Sequence, residues 1–170
     1  MNIAIVFGSH RTIGRNNEIE VAIKQAAFNH DFDFIRLAKT NITPTLTETE
    51  ADDSFDDILK RLKFADVLFL IIPVYCPYPS KFVAFMERLL DVSYQNSNKP
   101  LKGKPVAIFY YCSNKICDET PLKVLFQKYL MDDYRFDISN YEKYLNAEIN
   151  PNEKYNHNIT EYILDVIKSL

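Results

Sequence analysis

The sequence predicts an α/β fold: a doubly wound sheet of five parallel strands with helices on both faces. Short apolar runs alternate along the chain with segments whose apolar residues recur at helical spacing, which is the pattern of strand-helix-strand units. The runs over 3–7 and 67–72 are apolar throughout, as expected for strands that helices cover on both faces. Right-handed crossovers and the strand order 2-1-3-4-5 then place a ligand site between the first and third strands, at their carboxyl ends.

The first strand and the loop after it form the most informative stretch of the chain. Residues 3–7 are a continuous apolar run, and Gly8 and Gly14 bracket the polar loop that follows, although the chain has only 3 glycines. Glycine permits positive φ and lets a ligand approach the backbone closely. The Ser9 hydroxyl, the Arg11 guanidinium and the first amides of the next helix could bind a phosphate. The alternative is an ordinary strand-to-helix turn with a solvated Arg11.

Turn signals and periodicity predict the elements as far as the fourth strand. Asn17 and Glu20 have the spacing of a capping box at the start of a helix over 17–29. Ser54 opens a later helix, and Ser80 can cap another. The predicted elements after the first helix are a strand over 32–37, a loop over 40–50, a helix from 54, the central strand over 67–72 ended by Pro73, a helix from 80 with Phe82, Val83, Met86, Leu89 and Leu90 on its buried side, a polar loop over 96–104 and a strand over 106–111.

The C-terminal third continues the alternation. Thr120 followed by proline is the signal of a helix start, and alternating residues over 134–138 indicate a half-buried edge strand. The connection over 140–157 is too long for an ordinary loop and could hold a short extra strand near 144–149. A last helix follows over 158–170.

Length and composition predict one domain spanning residues 1–170. A chain of this length buries about two thirds of its unfolded surface in one core, and 47% of the residues are hydrophobic while 25% are charged. The net charge of -3 argues against nucleic acid or an anionic membrane as the main partner. No apolar run approaches the roughly 20 residues of a membrane helix. The first residues lead directly into a strand without signal-peptide features, so we expect a cytoplasmic protein.

Two other groups of side chains could carry chemistry. Cys76, Cys112 and Cys117 are odd in number and widely spaced, and they form neither a C-x-x-C pair nor a C-x5-R loop. This pattern suits a reducing compartment and gives little support to a cysteine nucleophile. The four aspartates between 52 and 57 could hold a metal, but we favour solvated charges at the positive end of a helix.

Three motifs together resemble one family. GSHRTIGRN is similar to the G-S-x-R-x-x-G-x-[ST] loop of the flavodoxin-like NAD(P)H-dependent FMN reductases, with Asn16 in place of the usual Thr or Ser. The segment over 65–88 resembles that family's third strand and following helix, including a Pro-x-Tyr turn and the final Glu87 and Arg88. LKGKPVAIF resembles the start of its fourth strand. The resemblance covers residues 2–111.

The resemblance implies a flavodoxin-like fold, FMN as cofactor and NAD(P)H as electron donor. In that family the loop after the first strand holds the FMN phosphate, and the segments after the third and fourth strands lie along the isoalloxazine ring. The cofactor-binding residues implied here are Ser9, Arg11, Gly14, Arg15, Asn16, Asn17, Pro73, Val74, Tyr75, Cys76, Tyr78, Ser113 and Asn114. No catalytic acid, base, nucleophile or metal ligand is implied, because the flavin itself carries the hydride and electron chemistry.

We therefore expect an enzyme, a homodimer that passes reducing equivalents from NAD(P)H through FMN to a flavin, a quinone or a similar small acceptor. Two alternatives on the same fold stay open, namely a flavodoxin-type electron carrier and a flavin-free binding module. The flavin-free alternative is favoured by residues 76–79 and 112–114, which replace the family's usual glycine-containing loops.

Overall fold

The computed structural model describes residues 1–12, 14–44, 53–74, 78–95, 101, 103–112, 148–149 and 155–169. The helix predicted from 120, the strand predicted over 134–138 and most of the predicted connection over 140–157 lie outside these residues. Among the described helices, none is long and apolar enough to cross a membrane.

Four parallel strands of six to eight residues form the body of the sheet. They are β1 (Asn2–Phe7), β2 (Asp31–Arg36), β3 (Val67–Val74) and β4 (Val106–Cys112). Their order is β2-β1-β3-β4, and a two-residue strand β5 (Glu148–Ile149) pairs in parallel with β4. The predicted order 2-1-3-4 is therefore confirmed.

Helices cover both faces of this sheet. They are α1 (Arg15–Ala26), α2 (Phe55–Phe64), α3 (Ser80–Gln95) and α4 (Tyr155–Ser169), and a 3-10 turn at Leu37–Lys39 follows β2. Alternate residues of β1 enter two separate cores: Ala4 and Val6 pack with α2 and α3, whereas Ile3 and Ile5 pack with α1 and α4. Both faces of the central strands are thus apolar, which explains their unbroken apolar runs.

We predicted that the central strand ends before Pro73. In the structure it continues through Pro73 to Val74, opposite Tyr111 and Cys112 of β4. The amide of Gly8 donates to the carbonyl of Ile71 across 2.9 Å, so the backbone polar groups of Ile71 face β1. The corresponding side of Pro73 lies beyond the last residue of β1. No ladder bond is required there, so a residue without an N–H group is tolerated.

Helix boundaries and one buried position also differ from the predictions. Helix α1 begins and ends earlier than the range 17–29, and α4 begins at Tyr155 instead of 158. Val83 was predicted on the buried side of α3 but is 40% exposed. The buried stripe of that helix consists of Phe82, Phe85, Met86 and Leu89, whose three- and four-residue spacing leaves Val83 beside it.

Candidate functional site

The carboxyl ends of β1, β3 and β4 lie at one edge of the sheet. Phe7, the last residue of β1, is in register with Ile71, and β3 and β4 end together at Val74 and Cys112. Because Gly8 is bonded to Ile71, the loop after β1 begins beside the last residues of β3. This edge is the place where doubly wound sheets bind their ligands.

The loop after β1 and the first turn of α1 each contain one buried polar residue. Ser9 is 3% exposed and Asn16 is 8% exposed, and among the described residues they are the two polar ones that are buried. The Ser9 hydroxyl accepts a hydrogen bond of 3.0 Å from the amide of Arg11, which braces the loop. The Arg11 side chain is exposed. Burial of a polar group costs free energy unless the group is hydrogen-bonded. The buried Ser9 hydroxyl and its bond to the Arg11 amide therefore indicate that the loop has a defined conformation.

Helix α1 starts without a side-chain cap. Gly14 is the N-cap residue, with φ 136° and ψ -152°, and its carbonyl accepts the amide of Asn17 at 3.0 Å. This backbone conformation is open essentially to glycine alone. The predicted positive φ is therefore found at Gly14. The N-cap residue itself has no side chain to bond the first amides of α1, and a helix N-terminus of this kind favours an anion through its amides and the positive end of its dipole.

The predicted capping box is wrong, because its two residues are bonded to Arg36 instead. Asn17 lies inside the first turn of α1, where its Oδ1 accepts a hydrogen bond from Nη1 of Arg36. Nε of Arg36 donates to Oε2 of Glu20 at 3.1 Å, and Nζ of Lys24 donates to Oε1 of Glu20 at 2.6 Å. Burial alone would raise the pKa of Glu20, but the bonds from Lys24 and Arg36 hold it below its usual range.

The segment before α3 forms the second side of this edge. Pro73 is buried, and Tyr78 is half-buried with its ring 6.4 Å from that of Phe82. Burial raises the pKa of the Tyr78 hydroxyl to about 12. The carbonyl of Pro79 accepts the amide of Phe82 at 2.9 Å, so Pro79 precedes the helix and Ser80, which we predicted as a cap, is its first residue.

The predicted site residues are brought together in part. Ser9 and Gly14 belong to the loop, Arg15 and Asn16 are the first two residues of α1, and Val74 is the last residue of β3. Tyr75, Cys76, Ser113 and Asn114 lie outside the described part of the chain. The sequence analysis did not identify Arg36 as a residue that bonds the first turn of α1. The available signal was its position as a cation at the end of the predicted second strand.

The aspartates between 52 and 57 do not form a metal site within the described residues. Asp56 and Asp57 are exposed, as solvated charges would be. Asp53 differs, because its side chain is 5% exposed and pairs with Arg88 at 2.7 Å. The interpretation as solvated charges is therefore wrong for Asp53.

Comparison with known proteins identifies the family. A model of the NADPH-dependent FMN reductase family matches residues 1–120, which is more than half of the chain. The chain belongs to the NADPH-dependent FMN reductase family. The predicted resemblance is thereby confirmed, together with the oxidoreductase class, FMN as cofactor and NAD(P)H as electron donor. None of the curated proteins matches the sequence significantly.

Solved structures similar to this family member share its fold. The flavodoxin, WrbA-like protein from Agrobacterium tumefaciens has a TM-score of 0.61 at 13% identity, with 99% of this chain and 98% of that chain covered. The flavoenzyme NAD(P)H:(acceptor) oxidoreductase FerB from Paracoccus denitrificans has a TM-score of 0.56 at 16% identity, with 91% and 78% covered. The flavodiiron protein from Giardia intestinalis has a TM-score of 0.65 at 10% identity; 98% of this chain is covered, but it spans only 35% of that protein.

The residues at the carboxyl edge fit an FMN phosphate. A phosphate needs hydrogen-bond donors and positive charge. The β1–α1 loop has the buried Ser9 hydroxyl, and the first turn of α1 has the buried Asn16 side chain and the N-terminal amides of the helix. Arg11 adds an exposed cation to this loop. These groups are chemically suited to binding a phosphate.

Proposed function

We propose that this family member holds FMN at the carboxyl edge of its sheet and uses it to pass reducing equivalents from NAD(P)H to a small acceptor such as free flavin or a quinone. The observation that carries the proposal is the burial of Ser9 and Asn16 beside the uncapped start of α1. Among the described residues these are the two polar residues that are buried as whole residues; the nearly buried carboxylate of Asp53 is instead paired with Arg88. Bound FMN supplies hydride and electron transfer.

In this proposal the chain binds, orients and shields the cofactor. The phosphate lies against the β1–α1 loop, where Ser9 is fixed by its bond to the Arg11 amide and where Arg11 neutralises charge from the solvent side. The residues proposed to contact the phosphate are Ser9, Arg11, Gly14, Arg15, Asn16 and Asn17. Those proposed along the ring are Pro73, Val74, Tyr75, Cys76, Tyr78, Ser113 and Asn114.

The proposal extends to the whole chain and its surroundings. We propose one flavodoxin-like domain over 1–170 whose sheet has five strands in the order 2-1-3-4-5. A fifth strand beside β4 is supported by the parallel pairing of Tyr110 and Tyr111 with Glu148 and Ile149, which lie where we predicted a short extra strand and not at the edge strand predicted over 134–138. We also propose a homodimer, as the family resemblance implies. A cytoplasmic location is proposed from the three widely spaced cysteines, which suit a reducing compartment.

The decisive experiment is NADPH oxidation by the purified protein with and without added FMN. We expect oxidation that requires both the protein and FMN and that rises when a quinone is supplied. Protein that binds FMN but leaves NADPH unoxidised would favour the electron carrier. Protein that does not bind FMN would overturn the proposed function.

A further inference from the structure

Gly8 is a glycine because of its neighbour Phe82. A Cβ atom at Gly8 would lie 3.1 Å from Cδ2 of Phe82 and 3.4 Å from its Cβ and Cγ atoms. The positive φ values among the described glycines belong to Gly14 and Gly103, so Gly8 needs no special backbone conformation. The positive φ that we expected is therefore not found at Gly8, where the structure shows a packing requirement instead.

Phe82 has little freedom to move away. It is 1% exposed, and its ring packs 6.5 Å from Phe85 and 6.4 Å from Tyr78. Its amide donates to the carbonyl of Pro79, which fixes the first turn of α3. Densely packed cores transmit small displacements instead of absorbing them. A shift of Phe82 therefore moves the start of α3 and the Tyr78 ring.

Phe82 thus contacts both sides of the carboxyl edge. Gly8 begins the loop with the buried Ser9, and Tyr78 belongs to the segment that follows β3. We propose that Phe82 is a positioning residue that sets the separation between the phosphate loop and the ring-binding segment. This inference rests on the proposed FMN site. According to it, the buried Phe82 side chain determines the distance between the phosphate loop and the ring-binding segment, and a ligand that contacts both must match this distance.

The spacing has a consequence for ligand choice. FMN contacts the loop through its phosphate and the other segment through its ring, so an error in spacing weakens one of the two contacts. Riboflavin has the ring without the phosphate, so its affinity does not depend on the separation. The ratio of FMN affinity to riboflavin affinity therefore reports the spacing, and a general loss of folding would lower both affinities together.

The test is a double-mutant cycle with Gly8→Ala and Phe82→Met. Methionine keeps Cβ and Cγ but lacks the ring atom Cδ2, which is the atom nearest the added methyl group, and its side chain adapts readily to irregular space. We expect Gly8→Ala to weaken FMN binding roughly tenfold or more while riboflavin binding stays within about twofold. The double variant should recover most of the lost FMN affinity.

Phe85→Met is the matched control. Phe85 lies on the same helix and in the same core and contacts Phe82, but no atom of it is among the nearest to a Cβ at Gly8. We expect it to lower stability without changing the ratio of the two affinities. Phe82→Met alone keeps most of the core volume and should lower the ratio even if Gly8→Ala fails to fold.

Two results would overturn the inference while leaving the proposed function intact, provided that the wild-type protein binds FMN through its phosphate. The first is that the losses of FMN affinity in the two single variants add up in the double variant. The second is that Gly8→Ala loses FMN affinity and riboflavin affinity equally. Wild-type protein that fails to bind FMN would overturn the proposed function itself.

Discussion

Arg88 of α3 donates from Nη1 to Oδ2 of Asp53 across 2.7 Å, and the two side chains are only 14% and 5% exposed. Asp53 also accepts the Thr43 hydroxyl at 2.7 Å and the Phe55 amide at 2.7 Å. The Arg88 guanidinium lies 4.7 Å from the centre of the Phe55 ring. One carboxylate thus joins the segment after β2, the start of α2 and the middle of α3.

Removing Asp53 should strongly destabilise the protein. Asp53→Ala leaves a nearly buried guanidinium without its partner, and breaking such a pair costs about 3–5 kcal/mol. The free energy of unfolding in urea measures this loss. Asp57→Ala is the matched control, because Asp57 lies in the same acidic stretch but is 82% exposed, and surface changes of this kind stay within about 0.5 kcal/mol. Equal effects of the two substitutions would contradict the account.

The contribution of Asp53 should depend on pH in the acidic range. Burial alone would raise the pKa of Asp53, but bonds from Thr43 and the Phe55 amide and the charge of Arg88 outweigh it and hold the pKa below its ordinary value. A depressed folded-state pKa gives stability that is present above the unfolded pKa of about 3.9 and lost as pH falls through the folded value.

Urea unfolding of the wild type and of Asp53→Asn from about pH 7 down to about pH 3 tests this dependence. The stability difference between the two should be constant near neutral pH and should shrink at the acid end. A difference that stays constant over the whole range would show that the charge of Asp53 contributes nothing.

Arg36 should stabilise the first turn of α1 and, with it, the proposed phosphate site. Its guanidinium bonds Asn17 and Glu20 from the end of β2. Arg36→Met should cost about 2 kcal/mol, the usual value of hydrogen bonds to charged groups, and should weaken FMN binding several-fold. Arg36→Lys should be intermediate because lysine keeps the charge but not the planar fork.

Lys24→Met provides the comparison for Arg36, since Lys24 bonds the same Glu20 but is 56% exposed. An exposed pair of this spacing contributes only about 0.3–0.5 kcal/mol. If Arg36→Met were no more harmful than Lys24→Met, the role of Arg36 in fixing α1 would be refuted.

Tyr78 should make the protein sensitive to alkali. Burial raises the pKa of its hydroxyl to about 12, above the unfolded value of about 10. The stabilisation is therefore fully present below about pH 10 and is lost as pH rises through the folded value. Tyr78→Phe keeps the ring on Phe82 and removes the titrating group.

Stability measurements on the wild type and Tyr78→Phe at about pH 8 and about pH 11 check this expectation. The wild type should lose more stability than the variant between the two conditions. Equal losses would mean that the Tyr78 hydroxyl ionises as readily in the folded protein as in the unfolded chain.

The strands and the two cores could be predicted from local sequence patterns, whereas most side-chain contacts at the candidate site could not. Unbroken apolar runs predicted β1, β3 and β4, because burial on both faces leaves a local signature in the sequence, and β2 was predicted from an imperfect alternation of apolar and polar residues. The bonds of Arg36 to Glu20 and of Arg88 to Asp53 join residues 16 and 35 positions apart. No periodicity encodes such pairs, which is why the capping box and the solvated aspartates were predicted in their place.

The same limit applies to Gly8 and Pro73. A glycine beside a polar loop predicts ligand approach, but the atom that excludes a Cβ comes from Phe82, 74 positions later. A proline predicts the end of a strand, but β1 has already ended at that level of the sheet. In both cases the outcome depends on a neighbouring segment that the sheet topology places beside the residue. The local sequence around Gly8 or Pro73 does not reveal that neighbour.

The most direct test of the central claim is a titration of the purified protein with FMN and with riboflavin, followed by the visible spectrum and repeated on Arg11→Ala. Arg61→Ala is the control, because Arg61 is an exposed arginine of α2 that is paired with Asp33 of β2. We predict that FMN binds more tightly than riboflavin, that Arg11→Ala removes much of this preference, and that Arg61→Ala retains it. FMN that binds no better than riboflavin, or with equal strength to the wild type and Arg11→Ala, would contradict the phosphate site after β1.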